Sequence, residues 1–353
     1  MIVLAVACNK PAQHAGSQRK DEHSALPAAA APVVANDNES EAAAQARVAL
    51  YQQVCTGGDM GGCSNLGLMY DDGTGVPKDA TKAVALYRQA CTGGNMDGCF
   101  NLGVMYKHGT GVPKDATKAV ALYQQACTGG IMKGCFNFGV SYAQGTGVPQ
   151  DATKAVVLYQ QACTGENMDG CFNLGVMYDD GTGVSKDATK AAALYQQACK
   201  GGDMGGCFNL GAMYKHGTGV PKDATKAVAL YQQACTGGIM KGCANLGLMY
   251  DDGTGVPKDA TKAAALYQQA CKGGDMGGCF NLGVMYDIGT GVPQNATKAA
   301  ALYQQACTGG YMDGCFNFGV SYAHGTGVPK DATKAAALYR QACAGGFVQA
   351  CNP

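Results

Sequence analysis

The sequence predicts an all-α protein, built as an α-solenoid of helix-turn-helix repeats. Of the 19 cysteines, all except Cys8 form pairs, which gives nine pairs with seven residues between the two members of each pair. The pairs recur every 36 residues without insertion or deletion, giving eight full units over residues 55–342 and a partial unit over residues 343–353. Each unit contains two stretches with helical apolar spacing. Because one helix pair cannot bury its own apolar face, the units are expected to stack on one another.

The unit that begins at Cys55 shows how each helix is predicted. The first helix has apolar or small residues at helical spacing: Met60, Cys63, Leu66, Gly67 and Tyr70. Gly73 and Gly75 are expected to end this helix, because glycine adopts left-handed backbone angles without steric cost. Asp79 is expected to cap the second helix, whose apolar face comprises Ala83, Leu86, Tyr87 and Ala90. The mid-helix Gly67 and its equivalents are expected to allow close helix packing, at a cost of roughly 1 kcal/mol each against alanine.

The cysteine pairs lie where one unit joins the next. The first cysteine ends a second helix and the second cysteine opens the following first helix, so the turn between them can bring both side chains within disulfide reach. Each bridge would stabilise the fold by roughly 2.5 kcal/mol. Two alternatives remain at this point: zinc, which usually takes cysteines two to four residues apart, and reduced structural thiols. No metal or cofactor is predicted, and the predicted disulfide residues are Cys55, Cys63, Cys91, Cys99, Cys127, Cys135, Cys163, Cys171, Cys199, Cys207, Cys235, Cys243, Cys271, Cys279, Cys307, Cys315, Cys343 and Cys351.

The charge balance and the N-terminal residues bear on partners and location. The 26 basic and 26 acidic residues cancel, which argues against nucleic-acid binding. Residues 1–8 resemble a bacterial lipobox that would lead to lipidation of Cys8; the alternative is a chance cysteine in a disordered tail. Residues 9–40 are predicted to form a disordered tether and residues 41–353 the solenoid with an N-terminal capping helix. We therefore expect a monomer that reaches a membrane only through a lipid anchor.

The repeat motif resembles a known family. The pattern N-L-G-x-M-Y-x-x-G-x-G-V-x-x-D followed by K-A-x-x-L-Y-x-Q-A is similar to the Sel-1-like repeat, a relative of the tetratricopeptide repeat. The paired cysteines resemble its cysteine-rich bacterial branch, known from Helicobacter cysteine-rich proteins. This resemblance implies a right-handed superhelix with bridged helices, an envelope or secreted location, and binding of a protein or peptide in the concave groove.

The same resemblance implies an alternative function from a different class. Some members of the cysteine-rich branch are described as penicillin-binding or β-lactam-hydrolysing proteins. The sequence offers little support for such a hydrolase, because its S-x-x-K occurs only at Ser17–Lys20, before the repeats, and no K-T-G or G-x-S-x-G motif occurs. No catalytic residue is therefore predicted, although enzymatic activity stays open.

The candidate binding residues are asparagines that recur once in every full unit. Each lies on a first helix, two residues after the second cysteine of a pair. An amide can donate to and accept from a peptide backbone, and tetratricopeptide relatives use an asparagine in a similar setting. The alternative is a structural role between helices. The eight residues are Asn65, Asn101, Asn137, Asn173, Asn209, Asn245, Asn281 and Asn317.

Two other sets of positions complete the pattern. The phenylalanines that precede most of these asparagines are predicted to be core residues. Variation between units gathers just before the turn methionine, for example at Asp59 and Ile131, and in the pair after the tyrosine, such as Asp71-Asp72. Both variable positions are expected to decorate the surface, either as a binding surface or through drift.

Overall fold

The computed structural model describes residues 40–351, which form helices and turns without a β-strand. This range contains 17 α-helices followed by a short 3-10 helix at Val348–Cys351. The α-helices are α1 Glu41–Thr56, α2 Met60–Asp72, α3 Ala80–Thr92, α4 Met96–His108, α5 Ala116–Thr128, α6 Met132–Gln144, α7 Ala152–Thr164, α8 Met168–Asp180, α9 Ala188–Lys200, α10 Met204–His216, α11 Ala224–Thr236, α12 Met240–Asp252, α13 Ala260–Lys272, α14 Met276–Ile288, α15 Ala296–Thr308, α16 Met312–His324 and α17 Ala332–Ala344.

The helices alternate along the chain as the repeat predicts. Even-numbered helices are the first helices of the repeats, and odd-numbered helices from α3 onward are the second helices. They form two compact units, α1–α8 up to Lys186 and α9–α17 from Asp187. Within each unit every helix packs against the next one along the chain. The predicted all-α solenoid of eight helix-turn-helix repeats is therefore confirmed.

The ends of the helices follow from the residues predicted to set them. Gly73 ends α2 with φ of +78°, and Gly75 has φ of +67°, both in the left-handed region that favours glycine. The Asp79 carboxylate accepts a hydrogen bond from the backbone N–H of Lys82 at 3.0 Å and so caps α3. Both predictions are confirmed for this repeat.

Close packing between the two helices of a repeat explains the mid-helix glycine. A Cβ on Gly67 would lie 2.8 Å from two ring atoms of Tyr87, which is itself buried. The phenylalanines pack against the equivalent tyrosines, as in the 5.9 Å separation of the Phe100 and Tyr123 ring centroids. Phe100 is 4% exposed, so the prediction that this stripe belongs to the core is confirmed for that position.

In the described part of the chain, nine disulfides join the ends of successive helices. Each links the two cysteines of one predicted pair, with Cα–Cα distances of 4.4–4.9 Å. Disulfides persist in oxidising compartments, and this number of them is typical of proteins from such compartments.

Some predictions fall outside the described residues. These are the lipobox-like segment, the lipidation of Cys8 and the tether apart from its last residue. Among residues 40–351, no helix combines the length and the apolar character needed to cross a bilayer.

Candidate functional site: the first-helix face

One stripe of residues recurs on the same side of every first helix, and we call it the first-helix face. On α4 it comprises Asp97, Asn101, Val104 and the Lys107–His108 pair. Their spacing of three or four residues places them along one side of the helix. Neighbouring first helices also touch directly, α2 with α4 and α12 with α14. Among residues 40–351, no two second helices make comparable contact, so in these two places the first helices lie beside one another.

The predicted asparagines form the middle of this face. Asn209 is buried, with 9% of its surface exposed, and the other seven are half-buried. Three of them donate through Nδ2 to the backbone oxygen four residues earlier: Asn137 to Lys133 at 3.0 Å, Asn173 to Asp169 at 2.8 Å, and Asn245 to Lys241 at 3.1 Å. These three amides therefore bond within their own helix.

The remaining asparagines divide into two groups. Asn317 lies near the buried Tyr303 hydroxyl, which donates to Oδ2 of Asp287 at 3.5 Å. Within residues 40–351, no side-chain hydrogen bond engages Asn65, Asn101, Asn209 or Asn281. Because a half-buried amide gains most from a new hydrogen bond when it has none, Asn65, Asn101 and Asn281 are the strongest binding candidates, whereas Asn209 is buried.

A row of aliphatic side chains accompanies the asparagines. Each lies three residues after an asparagine, and all are half-buried: Leu68, Val104, Val140, Val176, Ala212, Leu248, Val284 and Val320. Amides alternating with partly exposed aliphatic groups offer both hydrogen bonds and apolar contact. Such a surface suits an extended chain whose backbone is polar and whose side chains are partly apolar.

Charged residues flank the asparagines towards the start of the first helices. In the unit α1–α8 this position reads Gly61, Asp97, Lys133 and Asp169. Burial raises the pKa of the Asp97 carboxyl, although the positive charge of Lys133 acts in the opposite direction. Burial likewise lowers the pKa of Lys133, opposed by Asp97 and Asp169. These charges are thus partly removed from water, and the neighbouring opposite charges compensate for only part of that loss.

A second charged row lies at the ends of the first helices. In the unit α9–α17, burial lowers the pKa of Lys215, opposed by the negative charge of Asp252. Burial raises the pKa of Asp251 and of Asp287. Desolvated charges of both signs therefore border the asparagines at both ends of the face, where a partner's charges could pair with them.

Comparison with known proteins identifies the repeat. The pattern of the Sel1 repeat matches eight segments: residues 62–95, 97–131, 133–167, 169–203, 206–239, 241–275, 278–311 and 313–347. The chain belongs to the Sel1 repeat family. Proteins of this family are scaffolds that generally mediate protein interactions.

Solved structures with similar folds include two that cover most of this Sel1 repeat protein. A protective antigen of uropathogenic Escherichia coli with an SLR fold is 29% identical, with a TM-score of 0.78 over 86% of this chain. This chain spans 65% of that antigen's length. A Sel1 repeat protein of Oxalobacter formigenes is 25% identical, with a TM-score of 0.65, and the match covers 92% of this chain and 96% of that one.

The predicted cysteine-rich relative is also among the similar structures. Cysteine-rich protein B of Helicobacter pylori is 33% identical over 37% of this chain and 93% of its own, with a TM-score of 0.31. A comparison with the curated proteins finds no match.

One set of variable positions has a structural role at the starts of the first helices. Asp59, Asn95, Asn167, Asp203 and Asp275 cap first helices by accepting backbone N–H bonds. Ile131, Ile239 and Tyr311 occupy the same position but pack against core clusters instead. A short cap and an apolar contact are thus two ways to fix the same helix start, and the surface prediction holds for the exposed Asp59 but is wrong for the buried Asp203.

The sequence analysis missed the charged position two residues further along. It carries Gly61, Asp97, Lys133 and Asp169 in the unit α1–α8, and Gly205, Lys241, Gly277 and Asp313 in the unit α9–α17. Variation in charge at a fixed helical position was the available signal. It lies four residues before each asparagine, hence on the same side of the helix.

Two serines and three histidines of the repeats belong to residue types that often act in catalysis. The buried Ser141 and Ser321 donate to the backbone oxygens of Asn137 and Asn317 at 2.8 and 3.0 Å. His108, His216 and His324 are the exposed last residues of their helices. Among the described residues, no group of three or more His, Cys, Asp or Glu side chains is placed to hold a metal ion.

Proposed function

We propose that this Sel1 repeat protein is a scaffold that binds an extended segment of a partner protein along its first-helix face. The observation that carries this proposal is the recurrence of asparagines on this face, of which the half-buried Asn65, Asn101 and Asn281 have no side-chain hydrogen bond within residues 40–351. Each such amide can donate to a peptide carbonyl and accept from a peptide N–H. Recognition of this kind uses the backbone and therefore tolerates different partner sequences.

The other features of the face would add selectivity. The half-buried aliphatic row would contact partner side chains, and the desolvated charges would favour residues of opposite sign. Direct contact between adjacent first helices supports a further point of the proposal, that this face lies on the inner, concave side of each unit. The structure of a complex would show the bound segment on the first helices.

The test uses asparagines that differ in their hydrogen bonds. A double variant Asn65→Ala and Asn101→Ala removes two unengaged amides, and a matched variant Asn137→Ala and Asn173→Ala removes two that bond within their helix. A partner captured from envelope extract supplies the ligand for titration. Each lost hydrogen bond is worth roughly 0.5–1.5 kcal/mol, so the first variant should bind about tenfold more weakly.

Thermal melts separate binding from stability in the same variants. The first variant should melt like the parent protein, since no described hydrogen bond is lost. The matched variant should lose less affinity than the first. Unchanged affinity of the Asn65/Asn101 variant would exclude the proposed contact, and lowered melting without weaker binding would assign the asparagines a structural role.

We also propose that the protein acts in the bacterial envelope or as a secreted protein, as a monomer. The nine disulfides support an oxidising location, and residues 1–8 with Cys8 would supply a lipid anchor followed by the residue 9–40 tether and the residue 41–353 solenoid. Fractionation of cells that express the full gene, with Cys8→Ser as control, would test the anchor. Release of parent protein and variant alike into the soluble fraction would contradict it.

The hydrolase alternative gains no support from the serines of the described repeats. The Ser141 hydroxyl is buried and engaged by a backbone oxygen, which leaves it poorly placed to attack a substrate. A nitrocefin assay with oxidised protein distinguishes the two functions: we expect no turnover, and sustained turnover would favour the hydrolase.

A further inference from the structure

The disulfide between Cys343 and Cys351 differs from the other eight in its exposure. In each of those eight bridges both cysteines are buried, and the second cysteine is 0% exposed. Cys343 is only half-buried, and Cys351 is exposed. Among the nine bridges within residues 40–351, this is therefore the one with a solvent-exposed cysteine.

Side chains that shield the other bridges from solvent are missing around Cys343–Cys351 in the part of the chain that the structure describes. Cys91 and Cys99 lie in a cluster with Phe100 of their own first helix and with Ala119 and Tyr123 of the next second helix. No equivalent side chains cover Cys343–Cys351 within residues 40–351. Cys343 lies only at the edge of a cluster that contains the preceding bridge, Cys307–Cys315.

The sequence of the last turn also departs from the repeat. Ala350 stands where the other units have a glycine such as Gly98, whose added Cβ would lie 2.6 Å from the Cβ of Ala90. Val348 replaces the turn methionine and is 79% exposed. These residues form a 3-10 helix instead of the start of an α-helix, and the Cα–Cα distance of this bridge is 4.9 Å, against 4.4–4.6 Å in the others.

A cavity of about 590 Å³ lies directly over this bridge. Both cysteines line it, together with apolar atoms of Ala336 and Tyr339 and with Arg340. The residue equivalent to Arg340 one repeat earlier is the neutral Gln304, so the positive charge of Arg340 is absent from that repeat. A cationic group beside a disulfide attracts an anionic reagent and stabilises a thiolate that leaves.

We propose that Cys343–Cys351 is a thiol–disulfide exchange site for small anionic thiols. The thiolate of the reagent attacks Sγ of the exposed Cys351, a new S–S bond forms to the reagent, and the Cys343–Cys351 bond breaks. The electron pair of that bond leaves on Cys343 as a thiolate, beside Arg340. A second thiolate can then attack the reagent sulfur of the mixed disulfide, which yields the oxidised reagent and a Cys351 thiolate.

Exchange at this site would act locally. The bridge holds the 3-10 helix against α17, and the ring of Phe347 still packs on that of Phe316, with centroids 5.1 Å apart. The other eight bridges and their repeats do not depend on the Cys343–Cys351 bond. The protein would thus carry a removable thiol group beside α17 without loss of the other repeats.

The test treats oxidised full-length protein with reduced glutathione, whose carboxylates make it anionic, and with cysteamine, which is cationic. Samples are alkylated at intervals and their peptides analysed by mass spectrometry. We expect one glutathionyl group on Cys351 and an alkylated Cys343, formed at least about tenfold faster than opening of any other bridge, because attack requires access to the sulfur. The melting temperature should change little.

The variant Arg340→Gln introduces the residue of the preceding repeat and is expected to fold. It should slow the glutathione reaction several-fold and leave cysteamine unaffected or faster, because only the anionic thiol loses an attraction. A Cys343→Ser and Cys351→Ser double variant should take up no glutathione. The proposed exchange site would be wrong if all nine bridges were reduced at the same rate, if another bridge opened first, or if glutathione added to Cys343. An equal response of glutathione and cysteamine to Arg340→Gln would contradict the preference for anionic thiols.

Discussion

Aspartates on the two helices of a repeat lie in opposite electrostatic environments. At the start of the second helix α5, a hydrogen bond from the backbone N–H of Lys118 holds the pKa of Asp115 below its usual value. On the first helix α4, burial raises the pKa of Asp97. The second-helix charge is therefore satisfied by its own backbone, whereas the first-helix charge loses hydration without full compensation.

This difference indicates that the two helices of a repeat have different roles. The second-helix start is reinforced by the same contacts in repeat after repeat, for example Lys118 to Asp115 at 3.0 Å and Lys118 over the Tyr106 ring at 5.4 Å. The first helix keeps constant residues where it meets the second helix and varies its charges on the opposite side. A scaffold that is fixed on one side can present different groups on the other without a change of fold.

The largest expected effect tests the packed side of a first helix. A Cβ on Gly283 of α14 would lie 2.8 Å from the ring of the buried Tyr303, so Gly283→Ala should lower the free energy of unfolding by roughly 1–3 kcal/mol. Gly277 lies on the first-helix face of the same helix, where its nearest neighbour would be Asp275 at 3.3 Å. Gly277→Ala should instead stabilise the protein by roughly 0.5–1 kcal/mol. Urea unfolding measures the change in the free energy of unfolding of each variant. Equal changes would contradict the expected difference between the two sides of the helix.

A smaller effect is expected in the turn after a second helix. Glu166 has φ of +64°, whereas the other repeats have glycine at this position with φ between +85° and +95°. The left-handed conformation costs a non-glycine residue roughly 1–2 kcal/mol, so Glu166→Gly should raise the free energy of unfolding by about 1 kcal/mol. The equivalent reverse change, Gly130→Glu, should lower it by a similar amount. Calorimetry of both variants provides the measurement, and a destabilised Glu166→Gly would assign the glutamate a role beyond the turn.

The smallest effect is the dependence of stability on pH, and it has opposite signs on the two helices. The pKa of Asp115 is lower in the folded protein than in the unfolded chain, so its contribution is present above about pH 4 and is lost as pH falls below that value. The pKa of Asp97 is higher in the folded protein, so ionisation of this carboxyl above about pH 4 destabilises the fold.

Replacement of each aspartate by asparagine separates the two effects. Asn295 already caps α15 by accepting from the backbone N–H of Lys298 at 2.9 Å, so Asp115→Asn should keep the cap and remove its pH dependence. Asp97→Asn should raise the melting temperature at pH 7 and change it less at pH 3. Melting curves of both variants between pH 3 and pH 7 measure the sign of each pH dependence. The same pH dependence in the two variants would contradict the difference between Asp115 and Asp97.

The sequence by itself determined the repeat and its helices. The constant 36-residue spacing, the Asp79-type caps and the Gly73-type terminators act through neighbouring residues, so they can be read without knowledge of the fold. The eight asparagines could be placed on one helical side for the same reason. Their spacing is a local property of the α-helix.

Tertiary structure decided which of these residues have partners and which are covered. Asn101 and Asn209 occupy the same place in the motif, yet Asn209 is buried whereas Asn101 is half-buried. Ile131 was expected on the surface, yet it is half-buried and packs against the cluster that contains Phe100 and Tyr123. Nine equal cysteine pairs likewise give eight buried bridges and one exposed bridge. Burial and hydration depend on side chains from other helices, and these contacts form only when the repeats stack.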